Sequence, residues 1–301
     1  MESGLKIIAC IPAYNEERTI ASVVVKTMRY VNEVIVCDDG SGDLTGEIAR
    51  RLGAKVVRHE RNMGKGIALM DLFTEAKKFN PDVIITLDAD GQHNPDDIPR
   101  LIKPIVEGAA DIVIGSRFVK GGEIDAPLYR RFGLTFINFL SRKLVKSDVR
   151  DTQTGFRAFT LKALNELESM ESRGYGVETE QLMLAKKRGL RIIEVPVMIR
   201  YKGLEKTSKK FPFLQAQDIV TTILRLFIEE HPLRYLGIPG VALIILTVIS
   251  GTYLLLMFNA TRYFSIPIAL ITLAALFTGI MLLITAIILY AMTRLTKKMQ
   301  L

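Results

Sequence analysis

Two long stretches without charge constrain this chain more than any other feature. Residues 235–261 are 27 consecutive positions with no Asp, Glu, Lys or Arg, and residues 263–293 are another 31. A helix that crosses a bilayer needs roughly 20 apolar residues. A helix in a soluble core is shorter and keeps one polar face. The chain is therefore expected to end in a transmembrane hairpin over 233–301, with spans at about 235–258 and 266–293 and a short basic tail. Arg234 precedes the first span, and Arg294, Lys297 and Lys298 follow the second. The connecting loop holds only Arg262. The excess of basic residues on one side predicts an integral membrane protein with its head and both termini in the cytoplasm. A head of this size on a membrane anchor points to a reactant that lives in the lipid.

The formal net charge is +8 and the isoelectric point about 9.4. Such a balance suits an anionic partner: nucleic acid, anionic lipid or a phosphorylated substrate. No nucleic-acid-binding pattern is present, and the membrane accounts for the charge better. Cys10 and Cys37 lie in apolar runs and read as buried free thiols of a reducing compartment. The N-terminus enters a strand-like segment after a few polar residues, with no signal-peptide pattern.

Residues 1–210 alternate short apolar runs with helix-like segments. Strands are expected at 5–11, stopped by Pro12, and at 33–37, 55–58, 83–87 and 111–115. Helices are expected at 21–30, 45–52, 64–78 and 99–107. Strand–helix alternation implies a mainly parallel sheet covered on both faces. Ligands of such sheets bind at the carboxyl ends of the strands. The polar clusters fall there: 12–17, 38–43, 88–93 and Ser116-Arg117. Residues 128–146 resemble a basic amphipathic helix with interleaved aromatics, either on a membrane surface or packed on the sheet. Residues 211–232 are expected to form an interfacial amphipathic helix.

Asp88-Ala89-Asp90 ends the strand at 83–87. Two carboxylates this close repel unless a cation sits beside them. Mg2+ and Mn2+ prefer oxygen ligands, and Mg2+ commonly joins carboxylates to substrate phosphates. Asp90 is the expected direct ligand, Gln92 a neutral oxygen donor, and Asp88 a ribose or metal contact. Asp38-Asp39-Gly40-Ser41 suits either base and ribose donors or a simple turn. Arg61-Asn62-Met63-Gly64-Lys65-Gly66 precedes a helix, where glycines and a lysine suit a diphosphate. It lacks the spacing of an ATPase phosphate loop.

These motifs follow one another in the order Ile11-Pro12-Ala13-Tyr14-Asn15-Glu16-Glu17, Asp38-Asp39-Gly40-Ser41, Asn62-Met63-Gly64-Lys65-Gly66, Asp88 to His93 and Gly115-Ser116-Arg117. In that order they resemble family 2 glycosyltransferases with the GT-A fold, and more narrowly the dolichyl-phosphate mannose and glucose synthases. Asp151-Thr152-Gln153-Thr154-Gly155-Phe156-Arg157 and Glu194-Val195-Pro196 extend the likeness across nearly the whole head. The resemblance implies an α/β head that uses Mg2+ or Mn2+. It implies a nucleotide-diphosphate sugar (UDP- or GDP-hexose) as donor and a polyprenyl or dolichyl phosphate as acceptor, with membrane lipid and a second copy of the chain as further partners. Pro12, Tyr14, Glu16 and Asp39 would frame the base and ribose, with Lys65 at the diphosphate. Asp88, Asp90 and Gln92 would hold metal. Arg117, Arg130, Arg200 and Lys202 would grip the acceptor phosphate. Ser208 and Lys209 would belong to a basic loop over the donor. The substrate-proximal acid pair falls at Glu178 and Glu180, where the sequence departs from an aspartate-containing form.

The expected reaction is a single inverting displacement at the anomeric carbon. Asp151 to Phe156 leans toward UDP-glucose over GDP-mannose. A processive polysaccharide synthase is excluded by the lack of any Trp and by having two spans. A transferase to diacylglycerol or ceramide, or a non-catalytic nucleotide-sugar-binding membrane protein, are the alternatives.

Overall fold

The computed structural model describes residues 4–125, 135, 137–143, 148–168, 170, 172, 174, 176–200 and 212–299. The chain divides into two compact units, Met1–Ile223 and Leu224–Leu301, and the division falls inside the helix Pro212–Glu230.

In the first unit, β1 (Ile7–Ala13), β2 (Glu33–Asp38), β3 (Lys55–Arg58) and β4 (Val83–Thr86) pair in parallel in the order β3-β2-β1-β4. Helices α1 (Ile20–Thr27), α2 (Thr45–Arg51) and α3 (Lys65–Lys77) make the crossovers between them, and α4 (Ile98–Val106) leads from β4 into β5 (Ile112–Ser116). Helices cover both faces, so the central strands are apolar at every position rather than at alternate ones. Ile7, Ala9 and Ile11 face the cluster built with Ile20, Val24, Ile98 and Leu101. Cys10 lies on the opposite face, where its thiol reaches the Leu72 carbonyl of α3. Both cysteines are buried and free, and burial holds both thiols well above their ordinary range.

The expected stop at Pro12 does not occur: β1 runs through it to Ala13, with Pro12 opposite Cys37. The Cys10 carbonyl faces β4, accepting from Leu87 N, whereas the Ala13 carbonyl faces β2, accepting from Asp39 N. By alternation Pro12 faces β4, which has already ended at Thr86. A missing N–H has no cost where no strand waits for it.

The sheet is completed by β7 (Arg157–Thr160), antiparallel between β4 and β5, and by β8 (Ile192–Pro196), giving β3-β2-β1-β4-β7-β5-β8. Because β7 runs backwards, the residues that enter it, 151–156, lie at the carboxyl ends of β4 and β5. Thr86 Oγ1 donates to the Gly155 carbonyl at 2.7 Å, and Gly115 N donates to that of Phe156 at 2.9 Å. A second, two-stranded sheet pairs β6 (Glu123–Asp125) with β9 (Met198–Arg200). Of the expected basic helix at 128–146, Thr135 and residues 137–143 are helical; the others lie outside the described residues, apart from this stretch.

The second unit holds two helices long and apolar enough to cross a membrane, Leu233–Thr261 and Ile266–Arg294, with 6% and 11% of their most apolar windows buried. The first opens with a π-helical turn, Leu233–Gly237. The backbones touch where Gly240 meets Gly279. A methyl at either glycine would lie 3.0 Å from the other's carbonyl oxygen. Thr272 also donates to Ser250 across the pair at 2.9 Å. Small residues that admit close backbone approach, joined by hydroxyl hydrogen bonds, are how helices associate in lipid.

Candidate active site

The segments after β1, β2 and β4 meet at one rim. Asn15 takes a left-handed φ of 55°, which Asn tolerates. Its N–H donates to Ser41 Oγ at 2.9 Å, and its side-chain oxygen accepts from Gly42 N at 2.9 Å. Glu16 N donates to Thr45 Oγ1 at 2.7 Å. The first and second strand ends are thereby laced together, with Glu16 facing the rim and Tyr14 42% exposed beside it.

In the Asp-Asp-Gly-Ser turn, Gly40 has φ +72° and a side chain there would strike the backbone of Arg61 and Asn62. Asp39 is buried. Its oxygens accept from Met63 N at 2.8 Å and Gly64 N at 2.9 Å, and His59 Nδ1 lies at 2.7 Å. His59 Nε2 faces Asp71 at 2.9 Å. Burial opposes a charge on His59, but the bonds to Asp39 and Asp71 outweigh it and raise its pKa. Asp39 thus anchors the loop that starts α3, and a base or ribose donor would have to join three protein groups already on it.

Lys65, the first residue of α3, lies between two acids. Its Nζ is 2.6 Å from Asp88 Oδ1 and 2.7 Å from Glu178 Oε1. Burial works against its charge and the two carboxylates more than restore it, so the amine is held above its ordinary range. Asp88 is lowered in turn: burial is outweighed chiefly by Lys65, with His93 and Arg117 adding. Asp88 N donates to His93 Nδ1 at 3.2 Å, and the His93 ring stacks on Phe156 at 5.2 Å. Burial pushes His93 down to about 4, which keeps the ring neutral and able to accept that bond. Gly155 closes the arrangement from above. A methyl there would lie 2.8 Å from the Asp88 oxygens and 2.9 Å from Lys65 Nζ.

On the far side, Arg117 and Asp151 form a buried two-armed pair, Nε to Oδ2 at 2.6 Å and Nη2 to Oδ1 at 2.7 Å. Glu194 of β8 accepts from the N–H groups of Arg150 and Asp151 at 2.8 and 2.9 Å, and so seats that pair. Glu178 and Glu180 are both buried in the first turn of the helix Val177–Lys187. Only Glu178 reaches Lys65; Glu180 accepts from Ser172 N at 2.8 Å. The fully buried Arg157 binds four acceptors, among them the Glu178 carbonyl and Gln181 Oε1. Burial brings its pKa down to about 10. Arg130, Lys202, Ser208 and Lys209 lie outside the described residues, as does the side chain of Arg200, whose backbone ends β9.

The rim's outer edge differs in charge. Glu16 is pushed up to about 7 by burial first. The charges that add to the effect are all acidic, Asp90, Asp43 and Asp88, while a bond from Thr19 opposes it. Asp90 Oδ1 accepts from Gln92 N at 3.0 Å, which fixes the Asp90 side chain against the turn that carries Gln92. Among the described residues no three His, Cys, Asp or Glu side chains close into a metal cluster. A Mg2+-type site needs only one or two carboxylates and completes its shell with water and substrate phosphate. The surplus of acid around Glu16 fits a divalent cation; Asp90, Asp88 and Gln92 are the residues that would hold it.

Residues 8–168 match the family described as glycosyl transferase family 2. A UDP-N-acetylglucosamine–dolichyl-phosphate N-acetylglucosaminyltransferase of Methanococcus voltae is 36% identical over 215 residues, covering 65% of this chain and 86% of the relative. A dolichyl-phosphate hexose transferase of Haloferax volcanii is 35% identical over 222 residues, 72% of this chain and 92% of the relative. Among solved structures, glucosyl-3-phosphoglycerate synthase of Mycobacterium tuberculosis with Mn2+, UDP and glucosyl-3-phosphoglycerate superposes with a TM-score of 0.59 at 27% identity, covering 75% of this chain and 81% of that one. Sheet order, strand-end acids and relatives agree: this chain is a glycosyltransferase of family 2, with the GT-A fold, from the group that includes the dolichyl-phosphate sugar transferases.

Proposed function

We propose that the protein transfers a hexose from a nucleotide-diphosphate sugar to a polyprenyl (dolichyl) phosphate at the cytoplasmic membrane face, with inversion at the anomeric carbon. One observation carries this reading. Glu16, Asp43, Asp88 and Asp90 gather acidic side chains at the strand ends, in a chain that also holds two helices able to span a bilayer. The names of the relatives support the lipid-phosphate acceptor. The Mn2+ and UDP of the solved neighbour support a Mg2+ or Mn2+ ion held by Asp88, Asp90 and Gln92.

When bound, that ion would supply charge stabilisation for the departing nucleoside diphosphate. The remaining work belongs to the chain. Pro12, Tyr14 and Glu16 frame the base and ribose, and Asp39 holds the loop that delivers Lys65. Asp151 fixes the plane of the Arg117 guanidinium, which presents a pre-oriented donor to the acceptor phosphate. By the family resemblance, Arg130, Arg200 and Lys202 would add positive charge for the acceptor phosphate, and Ser208 and Lys209 would belong to the donor loop. A lipid phosphate is already largely anionic at neutral pH, because its second pKa is about 6. No strong general base is needed, which agrees with Glu178 being held by Lys65 and Glu180 by a backbone N–H. The Asp151 to Phe156 segment favours UDP-glucose over GDP-mannose.

The test is direct. Radiolabelled UDP-glucose and GDP-mannose are incubated with the full-length protein, Mn2+ and vesicles containing a polyprenyl phosphate. Label should pass into the lipid phase with one donor, and Asp90→Ala should stop it. Label reaching neutral lipids alone would overturn the acceptor assignment.

A further inference from the structure

The mechanism gives no role to the link that joins Asp88 to Glu178 through Lys65. We propose that Lys65 and Glu178 act as a positioning pair for Asp88, locking it to the helix Val177–Lys187, so that donor and cation affinity depend on where that helix sits. The proposal rests on Asp88 and Asp90 being the donor carboxylates.

Glu178 is 5% exposed on its side chain and Lys65 15%, whereas Asp88 keeps 28%. The triad is thus dry at the Glu178 end and wet at the Asp88 end. One lysine between two carboxylates leaves one negative charge, and the geometry hands it to the wet end, where a cation can reach it. Substituting a neutral group for Glu178 would shift the whole of Lys65 onto Asp88 and remove that charge. Two further contacts make Glu178 a fixed post. Arg157 binds its carbonyl at 3.0 Å from beneath the 152–155 loop. At Gly176, which caps the helix, any Cβ would collide with the side chain of Thr222 in the helix Pro212–Glu230. The helix start is therefore packed tightly against Thr222 at Gly176, and a shift there would carry Glu178 with it and Asp88 through Lys65.

The test measures Mn2+ affinity in the presence of UDP or GDP, whichever the wild-type protein binds, by titration calorimetry on the full-length protein in detergent. Thermal unfolding is recorded for each variant. Glu178→Gln should weaken Mn2+–nucleotide binding at least fivefold with little change in melting temperature. Lys65→Gln should alter it as well. The double variant should depart clearly from the product of the two single effects, as coupled residues do. Additive effects, or a Glu178→Gln affinity within twofold of wild type, overturn the pair. Should Lys65→Gln fail to fold, Glu178→Gln decides alone. In a second arm, Gly176→Ala should weaken binding and Gly176→Ala with Thr222→Gly should regain it; loss that Thr222→Gly does not relieve overturns the helix link. Asp90→Ala separates the two readings. If it abolishes Mn2+–nucleotide binding, the donor site stands whatever the pair does. If it leaves binding intact, the donor assignment itself falls.

Discussion

The inner and outer halves of the candidate site are built from the same residue types and behave oppositely. Inside, every acid meets a base: Asp88 and Glu178 share Lys65, and Asp151 holds Arg117. Outside, Glu16 feels Asp90, Asp43 and Asp88, all of them acidic. A buried charge must be paired or bear a large desolvation cost, so the inner half holds its shape before any ligand arrives. An acid-rich rim is tolerable only where water or a cation reaches it, so the outer half is where a cation enters. Carboxylate count alone would not separate the two.

The comparison can be broken in several places. The largest effect is expected at the outer edge. Asp90→Ala should lower sugar transfer by about a thousandfold, about 4 kcal/mol of transition-state stabilisation, while the melting temperature barely moves; a strongly destabilised protein would show Asp90 to be architecture after all. Inside, Arg117→Met strands the buried Asp151 carboxylate, and denaturant unfolding of the head should show a loss of about 3–5 kcal/mol. Adding Asp151→Asn should recover part of it. A stable Arg117→Met protein with a selective defect in acceptor use would instead make Arg117 a ligand group first.

Gly155→Ala tests how tightly the halves abut. Its methyl would press on Asp88 and Lys65, with an expected stability cost of about 1–3 kcal/mol and weaker Mn2+ binding. The pH response follows from Glu16. With its pKa near 7 in the folded protein, Glu16 is neutral below that pH and above it adds a negative charge beside the cation held by Asp88 and Asp90. Mn2+ affinity should climb from pH 6 to 8 and then flatten, and Glu16→Gln should remove the slope. The smallest effect concerns His59, whose folded pKa lies above its ordinary 6.5. That interaction stabilises the head fully below about pH 6.5 and fades as pH rises through the raised pKa. The thermal midpoint should therefore fall between pH 6 and 8.5, and His59→Gln should flatten that fall.

Much of the sheet was legible from residue pattern, because strands covered on both faces must be apolar throughout and their polar ends then stand out. The positions of Asp88, Asp90, Glu16 and the 38–41 turn followed from this alone. The insertion of β7 did not. Nothing in Arg157 to Thr160 distinguishes a backward strand from a forward one, so Asp151 could be quoted as part of a motif without being seen as the partner of Arg117. Lys65 was legible only in part. A lysine at a helix start next to glycines suggests a diphosphate, and only the fold reveals that Glu178, 113 positions later in the numbering, arrives beside it. His93 carried a signal that was available, a lone histidine three residues after the second acid, but its neutrality depends on burial against Phe156, which no local pattern encodes.

The meeting of Gly240 and Gly279 has a consequence for the C-terminal unit. Two helices clasped through their backbones leave their bulky side chains, Ile245, Leu255, Ile271 and Phe277 among them, splayed outward. A bilayer thinner than the apolar length would then lean the pair as one stave rather than splay it. Introducing Leu at either glycine would unclasp it, turning one anchor into two loosely tethered rods.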